Sequence, residues 1–116
     1  MSNEIDHRPW GKYEVLLADN SAKVKKITVK PRQRLSYQYH EHRNEDWVVV
    51  EGEAKITLDG DEVWRGTGER IRIKAGQAHR VQNPSFDNDL VFIEVQTGSY
   101  FGEDDIERLE DDYNRE

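Results

Sequence analysis

Along most of this chain apolar and polar positions alternate with a period of two. Ile27 and Val29 lie between Lys26, Thr28 and Lys30, and Ile71 and Ile73 lie between Arg70, Arg72 and Lys74. Such alternation predicts half-buried strands. Tyr13 to Leu17, Leu35 to His42, Lys55 to Leu58, Glu62 to Arg65, Ala78 to Gln82 and Leu90 to Gln96 read as further strands. Trp47-Val48-Val49-Val50 is a continuous apolar run closed by Gly52, expected to be buried on both faces. Asp59-Gly60 is the strongest hairpin signal, because both central positions of a tight hairpin favour a left-handed backbone. Arg8-Pro9-Trp10-Gly11, Pro31, Ala75-Gly76 and Asn83-Pro84 mark turns. About eight or nine short strands at regular spacing predict an all-β sandwich or barrel of two sheets. Near the C-terminus the period changes. Ile106, Leu109 and Tyr113 fall at i, i+3 and i+7, which predicts a short C-terminal helix over 102–116 with Glu103, Asp104 and Asp105 in its first turn.

Composition sharpens this picture. Valine and isoleucine far outnumber leucine in a chain of 116 residues, which favours strands. The length fits one domain, with a core at about 10–98 and an acidic tail at about 102–116. The net charge of −7 is concentrated in 103–116, and the remainder is nearly neutral. No basic stripe for nucleic acid is evident, and an acidic tail opposes one. The chain has no cysteine, so disulfides, thiolate metal sites and thiol catalysis are excluded. No apolar run approaches the length of a membrane span and no apolar leader follows Met1. Neither a membrane anchor nor a secretory signal is therefore expected, and a cytoplasmic location is.

The polar residues within the strands carry the candidate chemistry. Gln38, His40 and His42 lie at i, i+2 and i+4 and share one face of a regular strand. That face is either solvated, with incidental histidines, or turned inward. Buried imidazoles and amides need partners, and a divalent cation would supply them. Neighbours at i, i+2 can share one ion, so the pair is either Gln38 with His40 or His40 with His42. Glu45 precedes the apolar run and His79 begins a later strand. Two nitrogens, a carboxylate and a fourth group, with positions open to water, suit a catalytic metal site.

Residues 32–52 match the first cupin motif, G-x5-H-x-H-x4-E-x6-G, with Gln38 and His40 in the two His places, then Glu45 and Gly52. Residues 68–83 match the second, G-x5-P-x-G-x2-H-x3-N, through Gly68, Gly76, His79 and Asn83. Pairing His40 with His42 would break the spacing to Glu45. Arg32 replaces the first Gly and Lys74 the Pro, both at turns. Beyond the motifs, Arg8-Pro9-Trp10-Gly11, the run from Leu35 to Trp47, His79-Arg80 with Asn83, and Gly102-Glu103-Asp104-Asp105-Ile106 resemble type II phosphomannose isomerases over about residues 8–113. In that family the cupin is often the C-terminal domain behind a mannose-1-phosphate guanylyltransferase domain, whose Gly-rich, Lys-bearing segment is absent here. Asp46 stands where the family usually has His.

The resemblance implies a double-stranded β-helix, the cupin or jelly-roll barrel, as one domain over 1–116. It implies one divalent metal ion, Zn first and Mn, Fe, Co or Ni as alternatives, on Gln38, His40, Glu45 and His79. It further implies interconversion of mannose 6-phosphate and fructose 6-phosphate through an enediolate, which makes this chain an expected metal-dependent aldose–ketose isomerase. His42 is the available base, with a hydrogen-bonding role as the plainer alternative. For a sugar phosphate, Arg34 shares the Gln38 face and is the first choice. Arg80, adjoining His79, is kept with it, although Arg80 and Arg43 alternate away on regular strands. Trp10, Trp47 and Trp64 fit core or interface better than sugar platforms. The expected partners are a small-molecule sugar phosphate and a second copy in a homodimer formed through Trp47–Val50, with no nucleic acid and no membrane. Two other functions compete: a non-catalytic sugar- or nucleotide-sugar-binding cupin acting as a stand-alone regulatory or partner domain, and another cupin chemistry such as an Fe-dependent dioxygenase or an epimerase.

Overall fold

Alternating burial, strand by strand, produces two antiparallel sheets facing one another. The computed structural model describes residues 4–113. Its strands are β1 (Ile5–Arg8), β2 (Gly11–Ala18), β3 (Lys23–Val29), β4 (Tyr37–Tyr39), β5 (Arg43–Glu51), β6 (Glu53–Leu58), β7 (Asp61–Gly66), β8 (Arg70–Ile73), β9 (His79–Gln82), β10 (Leu90–Gly98) and β11 (Glu107–Glu110). One sheet has the order β1-β2-β3-β10-β5-β8 and the other β11-β4-β9-β6-β7. The β6–β7 hairpin closes where expected, with Asp59 at φ 47° and Gly60 at φ 88°, the double left-handed turn that Asp-Gly favours.

The core lies between the sheets. Trp10, Tyr13, Ile27, Val29, Trp47, Val49, Phe92 and Leu90 come from the six-stranded sheet and its turns, and Ala54, Ile56 and Val81 from the other. Each large apolar side chain removed from water contributes about 2 kcal/mol. The same inner surface continues toward one end of the barrel in polar residues: Arg43 and Glu45 on β5, Glu94 and Gln96 on β10, Lys25 on β3 and His79 on β9, all buried.

Two expectations are corrected. The run Trp47–Val50 is not buried on both faces: Trp47 and Val49 point inward, Val48 is half-buried and Val50 is exposed. Within the single chain one layer packs on this sheet, and its outer face mixes apolar Val24, Val48, Ile93 and Val95 with charged Lys26, Asp46, Arg70 and Arg72. There Asp46 pairs with Arg72 at 2.9 Å. The expected C-terminal helix is a strand instead. Glu107–Glu110 pairs antiparallel with β4, with Glu107 opposite Tyr39, Arg108 opposite Gln38 and Glu110 opposite Tyr37. An uncovered β4 would leave a row of unpaired backbone groups, and pairing overrides the helical spacing. Leu109, expected on the buried stripe, is half-exposed. Residues 114–116 of the expected helix lie outside the described residues. Among the described residues no helix is long and apolar enough to cross a membrane.

Gly98 ends β10 at φ 143°, where a Cβ would stand 2.3 Å from the His42 carbonyl oxygen and 2.9 Å from Arg43 Cα. Gly98→Ala should therefore lower stability by about 2 kcal/mol, read by urea denaturation. Gly60→Ala, at a left-handed position with open space around it, should cost about 1 kcal/mol through backbone strain alone.

Candidate metal centre and its polar cleft

Three short elements bring the candidate residues together. β4 and β9 pair with Gln38 directly opposite His79, and His40 follows one residue after β4. Glu45 reaches across from β5 in the facing sheet. His40 Nε2 lies 3.2 Å from Glu45 Oε2, and His79 Nε2 lies 3.9 Å from Glu45 Oε1. Ligand atoms of His40, Glu45 and His79 all fall within 4.8 Å of one another, and all three residues are buried. The two imidazole rings are 5.1 Å apart, and Trp47 meets His79 edge-on at 5.8 Å.

The hydrogen bonds around these rings decide where their lone pairs point. His40 Nδ1–H donates to the Asp105 carbonyl oxygen at 2.7 Å, and His79 Nδ1–H donates to the Gln77 carbonyl oxygen at 3.0 Å. A backbone carbonyl only accepts, so each Nδ1 carries the proton and each Nε2 is left as a lone pair. Burial pushes the His40 imidazole down to about 4, with the Arg43 charge and His79 acting the same way. Burial also lowers His79. Both rings are therefore neutral at pH 7. His79 Nε2 is buried without a hydrogen-bond partner, which is costly for a nitrogen lone pair. Glu45 is held by Arg43 Nε at 2.9 Å and by Trp47 Nε1–H at 3.0 Å. The result is a focus of acceptors facing each other across a few ångströms, a donor set suited to a divalent ion.

Gln38 stands beside this focus with its Nε2 3.3 Å from His40 Nε2, while its Oε1 accepts from the Ser36 hydroxyl at 2.5 Å. A half-turn of the amide would present oxygen instead. His42 is not brought in. The chain leaves strand geometry after Tyr39 and bends, which breaks the alternation, and His42 is exposed with its ring edge-on to Tyr100 at 6.3 Å. Its backbone N–H donates to Asp105 Oδ2. Arg34 and Arg80 are also elsewhere. Arg34 forms a two-point pair with Asp112 at 2.7 and 2.9 Å. Arg80 donates from Nε to the Leu35 carbonyl oxygen and pairs with Glu110 at 3.3 Å. Both serve to fasten the tail.

Other cations lie beside the cluster. A cavity of about 110 Å³ opens beside His40, lined among others by Arg8, Lys25, Arg43 and Arg108, with Trp10 and Tyr13. Lys25 Nζ lies 4.0 Å from the centre of the Tyr13 ring and 2.8 Å from Glu103 Oε2. Sequence reasoning passed over Lys25, Glu94 and Gln96, and it set Arg43 aside as alternating away from the site. The signal for them was parity: Lys25 shares the face of Ile27 and Val29, Arg43 that of Glu45 and Trp47, and Glu94 and Gln96 that of Leu90 and Phe92.

Similarity to known proteins settles the family. The family described as mannose-6-phosphate isomerase C-terminal matches residues 2–111. The chain belongs to that family. Its relatives include an Escherichia coli mannose-1-phosphate guanylyltransferase, 50% identical over 94% of this chain and 23% of that protein. Another is the alginate biosynthesis protein AlgA of Pseudomonas aeruginosa, 48% identical over 94% of this chain and 22% of that protein. The chain thus spans under a quarter of the length of the relatives it matches. Among solved structures, a conserved Klebsiella pneumoniae protein with a double-stranded β-helix domain superposes with a TM-score of 0.72. It is 25% identical, and the match covers 83% of this chain and 76% of that one. The fold is the expected double-stranded β-helix, the cupin barrel. The expected function is corrected. The relatives are named for guanylyl transfer to mannose 1-phosphate and for polysaccharide biosynthesis. Those names replace the reading of this chain as a mannose 6-phosphate isomerase, and equally its reading as a sugar-binding module that acts alone.

Burial first, and then the neighbouring Glu45 carboxylate, push the Glu94 carboxyl up to about 7. The folded state then binds more protons than the unfolded chain between about pH 4.5 and 7, so this group's contribution to stability is lost as pH rises through that window. Glu94→Gln removes the titration. Its stability relative to the unsubstituted protein should improve from pH 5 to pH 8 in urea denaturation. An unchanged difference across that interval would contradict the assignment.

Proposed function

We propose that the chain is a metal-binding cupin that receives a phosphorylated sugar of mannose metabolism and works alongside a guanylyltransferase activity of the kind its relatives are named for. The convergence of His40 Nε2, Glu45 and the unpartnered His79 Nε2 carries this reading. His40, Glu45 and His79 would hold the ion, with the Gln38 amide as a fourth donor. Two imidazoles with a carboxylate suit Zn first, then Mn, Fe, Co or Ni. When bound, the ion supplies Lewis-acid character toward sugar oxygens.

The protein's own groups do the rest. Asp105 and Gln77 hold the rings in the ligating tautomer through their carbonyls. Trp47 Nε1–H fixes one carboxylate oxygen of Glu45. Lys25 and Arg8, which both face the Tyr13 ring and are held by Glu103 and Asp6, would supply charge for a phosphate by exchanging those carboxylates for it. Trp10 and Tyr13 offer apolar faces that exclude water from one wall, which strengthens those charged contacts.

The test has two stages. Chelator-treated protein titrated with Zn should take up one ion per chain, and at one hundred times the dissociation constant the ion should raise stability by about 2.7 kcal/mol. His79→Ala should abolish both effects. Mannose 1-phosphate titrated into the loaded protein should bind, and Lys25→Met should weaken it by about tenfold. Failure to take up metal, or uptake undiminished in His79→Ala, would overturn the reading.

A further inference from the structure

The groups that would hold the ion are not idle in this structure. Arg43 is buried at the mouth of β5, and its guanidinium reaches two of the three ligating residues. Nη2 lies 3.2 Å from His40 Nε2 and 2.9 Å from Glu45 Oε2, and Nε lies 2.9 Å from the same carboxylate oxygen. A guanidinium only donates. It therefore competes for the His40 lone pair, which the Gln38 amide nitrogen also faces at 3.3 Å, and for one Glu45 oxygen; of the three ligating residues, His79 Nε2 is left without a partner.

We propose that Arg43 is an internal competitor for the cation: it neutralises the acceptor cluster when no ion is bound and must leave that cluster for an ion to enter. This rests on the metal reading above. Two positive groups cannot share one cluster at these distances without strong repulsion. An exit is present on the neighbouring strand. β10 runs beside β5 with Gln96 opposite Glu45. The Gln96 Oε1 is buried with no hydrogen-bond partner, and the Glu94 carboxyl lines the same cleft as Arg43. A guanidinium turned from Glu45 toward Glu94 and Gln96 would meet an acceptor that now has none. Loading is thus an exchange of one cation for another, with the displaced charge kept inside the barrel.

The opposite role, Arg43 as a support that orients Glu45 for the metal, makes the opposite prediction. The experiment measures Zn affinity by competition with a chromophoric chelator, and thermal unfolding with and without Zn. It compares the unsubstituted protein, Arg43→Met, Arg43→Lys and His79→Ala. A competitor predicts at least about tenfold tighter Zn binding in Arg43→Met, with a lower melting temperature in the absence of metal and a larger rise on adding it. Arg43→Lys, which keeps a charge and loses the fork, should fall between. Folding of Arg43→Met only in the presence of Zn would also support the proposal. If Arg43→Met does not fold in either condition, the Arg43→Lys affinity decides: tighter supports, equal or weaker overturns. Equal or weaker Zn binding by a folded Arg43→Met, while the unsubstituted protein binds and His79→Ala does not, would overturn the competitor alone. Absence of Zn uptake by the unsubstituted protein would overturn the metal reading and the competitor with it.

Discussion

The structure turns on one constraint: a cluster of hydrogen-bond acceptors is enclosed between two sheets where water does not balance it. His40 Nε2, Glu45 and His79 Nε2 present lone pairs to one another at 3.2 and 3.9 Å. In a low-dielectric interior such a cluster is stable only with positive charge or donated hydrogens at its centre. Much of the surrounding polar structure answers that need. Trp47 Nε1–H and the Arg43 guanidinium face Glu45, and backbone carbonyls take the imidazole protons so that neither ring competes as a donor. Lowered histidine basicity follows from the same burial and keeps both rings in the form that binds a cation.

The acidic tail belongs to this arrangement. It does not float as a solvated helix but lies along β4 as an eleventh strand, and its charges are spent on particular partners. Glu103 takes Lys23 and Lys25, while Glu110 and Asp112 take Arg80 and Arg34. Asp105 does two things at once. Its carboxylate accepts the backbone N–H groups of Glu41 and His42, fixing the bend after β4, and its carbonyl sets the His40 tautomer. Loss of the tail would therefore reach the candidate metal centre directly.

The strands and the central cluster were legible because each is a matter of local parity and spacing. Ile27 with Val29, Ile71 with Ile73, and the Asp59-Gly60 turn announce themselves within a few residues. Gln38, His40, Glu45 and His79 were found through motif spacing, and the structure gathers the three histidine and carboxylate side chains as that spacing implies. What was not legible depended on the third dimension. Leu109 and Tyr113 have helical spacing, but the open edge of β4 offers backbone partners that a short acidic helix could not match. His42 looked equivalent to His40 until the chain bent between them. Arg34 and Arg80 were near the ligands in sequence, yet the tail's carboxylates draw them away. Val50 lies on the outer face of its sheet and is exposed in the single chain, because the alternation that turns Trp47 and Val49 inward turns it outward.

The central claim is tested most directly by X-ray absorption at the Zn edge on protein carrying one equivalent of Zn. The account predicts a first shell of nitrogen and oxygen at about 2.0–2.1 Å with the multiple-scattering signature of two imidazoles, reduced to a single imidazole in His79→Ala. A spectrum of oxygen ligands without imidazole scattering, unchanged by that substitution, would contradict it.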